Sequence, residues 1–207
     1  MKRSTSDNGT YPTACLGACE NEETFNNFKR DKNYRNILEH VSNEQGKMYY
    51  NNFKTNEGII NNMGSFKNND ILGNPIKYKY SFGEFSPTTL RYVKVLKDID
   101  EGYDINHKNI IEVGGGYGGQ YVVLREMFTP KSYSIVDIKE PLELIGKYIS
   151  RLDKNQNLHL IDGDDRGYIF KEKYDIFISN YAISECNKEI QQYYLDNIIK
   201  KSDHGYV

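Results

Sequence analysis

Apolar positions along this chain change their period about halfway: helical spacing dominates before Gly102, and short apolar runs alternating with helical stretches follow it. In the first half, Phe25 with Phe28, then Tyr34, Ile37, Leu38 and Val41, then Tyr49 with Phe53 share one face, and lysine, glutamate and asparagine fill the other. That pattern predicts one or two amphipathic helices between Asn21 and Phe53, packed on something larger. Residues 1–20 have no such period and read as a flexible arm. From Asn56 to Gly83 the breakers Gly64, Gly73, Asn74-Pro75 and Gly83 dominate, and the alternating run Ile76-Lys77-Tyr78-Lys79-Tyr80 predicts an edge strand or extended arm. Ser86-Pro87 then opens a helix, with serine as its cap and proline at its first position, and Tyr92, Val95, Leu96 and Ile99 seat it on the core.

After Ile110 the period alternates. Strands are expected at 110–113, 133–138, 158–161 and 174–179, with Gly205-Tyr206-Val207 beginning a fifth. Helices follow Gly119, begin near Pro141 (Ile145, Tyr148, Ile149, Leu152) and run from Ile190 to Ile198. Apolar strands alternating with amphipathic helices imply a parallel sheet covered on both faces, a Rossmann-like α/β fold. The expected division is an arm (1–20), a helical cap region (21–100) and a cofactor-binding domain (101–207). Ligands of such a sheet bind beyond the carboxyl ends of its strands.

The first of those ends is the densest motif in the chain. Ile110-Ile111-Glu112-Val113 runs into Gly114-Gly115-Gly116-Tyr117-Gly118-Gly119, and a helical pattern starts at once. Such a turn requires positive φ and lets a ligand approach where no Cβ intrudes. Gly114, Gly116 and Gly119 satisfy the dinucleotide fingerprint, so spacing alone admits a nicotinamide dinucleotide as well as S-adenosylmethionine. Glu112 is expected to decide between them: a carboxylate beside the turn repels a pyrophosphate and suits the cationic amino group of S-adenosylmethionine. The pattern Glu112-x-Gly114-x-Gly116-x-Gly118 resembles the first motif of class I methyltransferases.

Other strand ends add polar groups. Asp137, about twenty residues past the turn, is placed to accept both ribose hydroxyls. Asp162 and Asp164 are equally placed by spacing to accept the adenine amino group. Ser179-Asn180-Tyr181 would stand beside the sulfonium, where methyltransferases of this class receive the acceptor. Asn180 is expected to orient that acceptor and Glu185 to take its proton, because a neutral hydroxyl is a poor nucleophile. Among the histidines, His204 is a second candidate base, His159 reads as a core strand residue, and His40 and His107 as surface positions. None has metal-ligand spacing, so no metal is expected.

Composition narrows the partners. A net charge of -2 over 207 residues gives no basic field for nucleic acid. No apolar run is long enough to span a bilayer, so no membrane partner is expected. Three cysteines, Cys15, Cys19 and Cys186, form no framework and suit a reducing, cytoplasmic compartment.

Gly73-Asn74-Pro75, Ser86-Pro87-Thr88-Thr89-Leu90-Arg91-Tyr92, Glu112 to Gln120 and Ile178-Ser179-Asn180-Tyr181-Ala182-Ile183-Ser184-Glu185 together resemble the sugar O-methyltransferases, in matching order and separation from about Ile71 to Val207. The resemblance implies S-adenosylmethionine as cofactor and a sugar or sugar-nucleotide hydroxyl as acceptor. It also implies roles around the site: acceptor binding for Arg91 and Tyr92 of the Ser86 segment and for Tyr181, beside Asn180 and Glu185. Class I sheets have seven strands and this chain stops as a fifth begins. The expectation is therefore a truncated sheet with an open edge, completed by a second copy or another chain, or a remnant that binds cofactor without turnover. A nicotinamide-dependent oxidoreductase is the third reading.

Overall fold

The computed structural model describes residues 9–154 and 156–207. Its centre is a five-stranded, wholly parallel sheet of β3 (Asn109–Val113), β4 (Ser132–Asp137), β5 (Leu158–Asp162), β6 (Tyr174–Ile178) and β7 (Ser202–Tyr206), in the order β5-β4-β3-β6-β7. A small antiparallel pair, β1 (Tyr78–Tyr80) and β2 (Gly83–Phe85), stands apart. The Rossmann-like α/β architecture read from the sequence is the one observed. Progression along the sheet reverses at β3: the chain moves outward through β4 and β5, then returns to the other side of β3 as β6. The strand tips splay apart at such a reversal and leave a crevice.

Side-chain parity assigns most buried apolar strand residues to one of two cores. Ile110, Tyr133, Ile135, Ile176 and Ile178 face the larger one, shared with α7 (Pro87–Gly102), α8 (Gly119–Arg125) and α9 (Lys139–Arg151). Ile111, Val113, Val136, Ile161 and Phe177 face the smaller one, closed by α11 (Lys188–Asn197) and Phe170; the short α10 (Ala182–Glu185) lies before it. Glu112 has the parity of Ile110 and therefore points into the larger core. Ser86 caps α7 as expected, its side chain accepting from Thr89 N, and Asp70 in turn accepts from Ser86 N and Oγ at 2.7 Å each.

The N-terminal half departs from the sequence reading. Thr10–Glu20, expected within a flexible arm, is helix α1, which buries Tyr11, Cys15 and Ala18 and packs against α9. The remainder of that arm, residues 1–8, lies outside the described residues. The one or two helices expected from Asn21 to Phe53 are α2 (Glu22–Asn27), a 3₁₀ turn at Phe28–Arg30, α3 (Lys32–Arg35) and α4 (Asn43–Phe53). Capping side chains cause the breaks. Asn21 accepts from Thr24 N, Asp31 from Asn33 N and Tyr34 N, and Ser42 with Gln45 forms a capping box, so each starts a new helix where the apolar period alone would continue the old one. Two short helices, α5 (Glu57–Asn61) and α6 (Met63–Phe66), complete this half. The link between α3 and α4 stays irregular and crosses the glycine turn after β3, where Leu38 lies against Gly116.

Further corrections concern strands. β7 begins at Ser202 rather than Gly205, so His204 sits within the strand, opposite Ile176 of β6. His159 is exposed on the edge strand β5 rather than buried in a core. All three cysteines are free, and among the described residues no helix is long and apolar enough to cross a membrane.

Candidate active site

Beyond Val113 the chain turns through Gly114 at φ +83° and Gly116 at φ +63°, conformations that strain any L side chain. A Cβ on Gly114 would collide with the Ala182 methyl group after β6. This close approach joins the tips of β3 and β6 and forms the floor of a cavity of about 360 Å³. Val113, Gly114 and Gly116 come from the first strand end, Val136, Asp137 and Ile138 from the second, Gly163 and Asp164 from the third, and Asn180, Tyr181, Ala182 and Glu185 from the fourth. A roof closes over them: Ile37, Leu38, His40 and Val41 from the α3–α4 link, Gln45 and Tyr49 from α4, and Arg91 from α7.

Asp137 is the best-anchored polar group on the floor. Ile138 N donates to its Oδ1 at 2.8 Å, and the Gly115 and Gly116 amides also donate to it. Burial pushes its carboxyl up to about 6, against those three donors, so it is largely ionised at neutral pH and can accept two hydroxyls. Asp164 lines the cavity while Asp162 does not: the Asp162 Oδ1 accepts from Asp164 N at 2.9 Å and shapes the turn instead. Asn180 donates through Nδ2 to Gln120 Oε1 at 3.5 Å, and Gln120 Nε2 donates to the Tyr92 carbonyl at 3.2 Å. That relay ties the tip of β6 to α7. Tyr181 sits at φ +73°, 64% exposed at the mouth, and Glu185 lines the wall beside it.

Besides Asp162, four expected site residues lie elsewhere. Glu112 is 1% exposed, lies outside the cavity lining and accepts from Tyr133 Oη at 2.9 Å; burial pushes its carboxyl up to about 8, which leaves it protonated at neutral pH. A neutral acid inside the core cannot attract a ligand's ammonium group. Gly118 caps α8 and packs under Ile149, away from the cavity. Tyr92 is buried behind the glycine turn, its ring 5.9 Å from that of Tyr117. His204 stacks on Tyr103 at 4.3 Å, outside the cavity lining, because β7 is a longer strand than its weak apolar pattern suggests.

The structure also brings in groups that sequence reasoning did not place there. His40, exposed as expected, lines the cavity, and its imidazole is held below the ordinary value by burial and by the Arg91 charge, with Glu185 acting the other way. It is therefore neutral at pH 7 and able to accept a proton. Leu38, Gln45 and Tyr49 had no local signal beyond the apolar face of a helix that the caps interrupt. Among the described residues no group of three or more potential metal ligands occurs.

No protein-family model matches the sequence and no curated protein matches it. Solved structures match in fold. A protein assigned as an S-adenosyl-L-methionine-dependent methyltransferase from Methanococcus maripaludis aligns at 19% identity over 50% of this chain and 48% of its own, with a TM-score of 0.44. One assigned as an RNA methyltransferase from Pyrococcus horikoshii aligns at 19% identity over 56% and 59%, TM-score 0.44. A SAM-dependent methyltransferase from Aquifex aeolicus aligns at 13% identity over 49% and 56%, TM-score 0.39. The aligned part spans about half the length of these solved chains. Identities this low bear on the fold alone, and superpositions this partial say nothing of substrate or reaction.

Proposed function

We propose that this chain is an S-adenosylmethionine-dependent methyltransferase acting on a hydroxyl of a sugar or sugar nucleotide. One observation carries the choice of cofactor: the first turn of α8 is closed. A nicotinamide dinucleotide on this fold needs its pyrophosphate at the helix N-terminus that follows the glycine turn. Here Gly118 and Gly119 are buried under Ile149, Tyr92 and Tyr117, neither lines the cavity, and the apolar Leu38 rests on Gly116. What stays open is the strand-tip side of the turn, with Asp137 beside it, and this suits a nucleoside without phosphates. Access to the helix therefore replaces the charge of Glu112 as the discriminating feature.

When bound, the cofactor supplies an electrophilic methyl group. Within the chain, Asp137 accepts the ribose hydroxyls, Gly163 and Asp164 border the base, and Asn180 and Tyr181 border the acceptor. Passing that methyl group from sulfur to the acceptor oxygen would release the hydroxyl proton. Glu185 and the neutral His40 stand at the mouth to receive it. Fixing the acceptor between Tyr49, Tyr181 and Asn180 supplies part of the acceleration by orientation. The sugar assignment is supported by the four-segment motif resemblance and by these aromatic and amide groups around the mouth.

Calorimetric titration with S-adenosylhomocysteine, NAD and NADP, followed by a methyl-transfer assay on sugars, sugar nucleotides and RNA, tests the proposal. Binding of S-adenosylhomocysteine alone and transfer to the sugar panel are expected. Binding without turnover on any acceptor would reassign the chain as a cofactor-binding remnant, and transfer to RNA would replace the acceptor. A folded protein that ignores both S-adenosylmethionine and its demethylated product ends the proposal.

A further inference from the structure

With Glu112 turned into the core, the amino-acid end of the cofactor lacks the recognition group expected for it, and the cavity offers another. Arg91, from the first turns of α7, lines the cavity. The Asn180–Gln120–Tyr92 relay ties its helix to the β6 tip, and β3 and β4 separate that tip from β5, whose end leads to Asp164. Its Nε is shielded from solvent and has no hydrogen-bond partner among the described residues. The rest of the guanidinium is met by phenols: Tyr92, which hydrogen-bonds it and whose ring centroid lies 5.4 Å from Cζ, and beyond it Tyr117 and Tyr49, so only the Nε donor is left over. Glu39 also feels the Arg91 charge, but burial, Lys29 and a hydrogen bond with Thr88 all act on its carboxyl more strongly, and it lies outside the cavity lining.

A buried guanidinium donor with no acceptor is costly, and a ligand acceptor removes that cost. The geometry points to a carboxylate: the guanidinium fork matches its two oxygens, and a charge-assisted pair formed away from water is stronger than a neutral one. With the ribose at Asp137 and the base toward Gly163, the remaining part of S-adenosylmethionine extends toward β3, β6 and Arg91. We propose that Arg91 is the seat for the cofactor's amino-acid carboxylate, and so selects an adenosyl amino acid over a bare adenosyl thioether. This assignment rests on the cofactor reading above, and it moves Arg91 from the acceptor to the cofactor.

Three probes test it on the full chain by titration: S-adenosylhomocysteine, its decarboxylated analogue, and 5′-methylthioadenosine, which lacks the whole amino-acid end. The wild type should prefer S-adenosylhomocysteine over the decarboxylated analogue by about 10- to 100-fold. Arg91→Gln should bring that ratio close to one while leaving 5′-methylthioadenosine affinity unchanged, and Arg91→Lys should retain part of it. A wild type that binds the two amino compounds alike overturns the proposal without any variant, which covers the case in which Arg91→Gln fails to fold. Full preference retained in Arg91→Gln also overturns it and returns Arg91 to an anionic group on the acceptor. Failure of all three probes on folded wild type would instead overturn the cofactor reading itself.

Discussion

The floor and the roof of the cavity are built differently. Every floor residue leaves the carboxyl end of a strand, where hydrogen-bonded register fixes its direction: Val113 opposite Val136, Asp137 opposite Asp162. The roof is assembled from an irregular link, a short helix and the start of α7, held by caps and by contacts such as Leu38 on Gly116. A strand tip offers a fixed platform for the part of a ligand shared across a fold, and a roof made from a separate segment can change its side chains without disturbing the sheet. If the proposed function holds, nucleoside recognition belongs to the floor, while proton transfer and carboxylate recognition belong largely to the roof.

The largest expected effect breaks that division on the chemical side. In the methyl-transfer assay, His40→Gln or Glu185→Gln, whichever removes the base, should lower kcat by about 10²- to 10⁴-fold. Affinity for S-adenosylhomocysteine should stay within about twofold, because neither group borders the nucleoside in the proposed pose. The two variants also decide between a base on the roof and one on the fourth strand end. Unchanged kcat in both would place proton transfer elsewhere, and the roof would then serve binding alone.

A smaller effect tests the floor. Asp137→Asn should weaken S-adenosylhomocysteine by about 10- to 100-fold, the range for a hydrogen bond to a charged group. In the wild type the same affinity should decline as pH falls through about 6, where Asp137 takes up a proton in the free protein, and the variant should show no such inflection. Titrating both proteins between pH 5 and 8 reads the two outcomes together. An inflection that survives the substitution would point to His40 instead, since it also titrates against the charges around the cavity.

The two halves of the cavity were not equally legible in the sequence. Floor residues such as Asp137 and Asn180 stand where an apolar run stops, and a parallel sheet sends all such stops to one edge. Two misreadings there have physical reasons. Glu112 alternates with Ile111 and Val113, so strand parity puts it on the core face with Ile110; adjacency to the glycine turn misled where parity would not have. β7 reads Ser-Asp-His-Gly-Tyr, with no apolar period, and only pairing with β6 makes it a strand. Apart from Arg91, which the motif resemblance set near the site, the roof carried almost no signal. Its apolar residues fit one long helix, and the caps Asp31 and Ser42 that interrupt it are visible locally without revealing where the freed link would go. That His40 and Arg91 line one cavity is a property of tertiary packing.

The smallest effect on the ligand, and the sharpest test of the floor's true composition, is Glu112→Gln. Its amide oxygen can still accept from Tyr133 Oη, and because residue 112 lies outside the cavity lining, S-adenosylhomocysteine affinity should be unchanged. Stability should respond instead, with a definite sign. Burial raises the Glu112 carboxyl in the folded chain from its ordinary 4.5 to about 8, so the folded state holds a proton that the unfolded state releases. The stabilisation from that proton is fully present below the ordinary value and is lost as pH rises through about 8. Over that window the wild type should lose stability relative to Glu112→Gln by up to about 1.4 kcal/mol per pH unit, as read by urea unfolding of both proteins at pH 5, 6.5 and 8. Parallel pH dependence in the two proteins would mean that this carboxyl is ionised in the fold, and a marked loss of ligand affinity in the variant would mean that it reaches the ligand; the two together would restore to the floor the charge that the core burial removes from it.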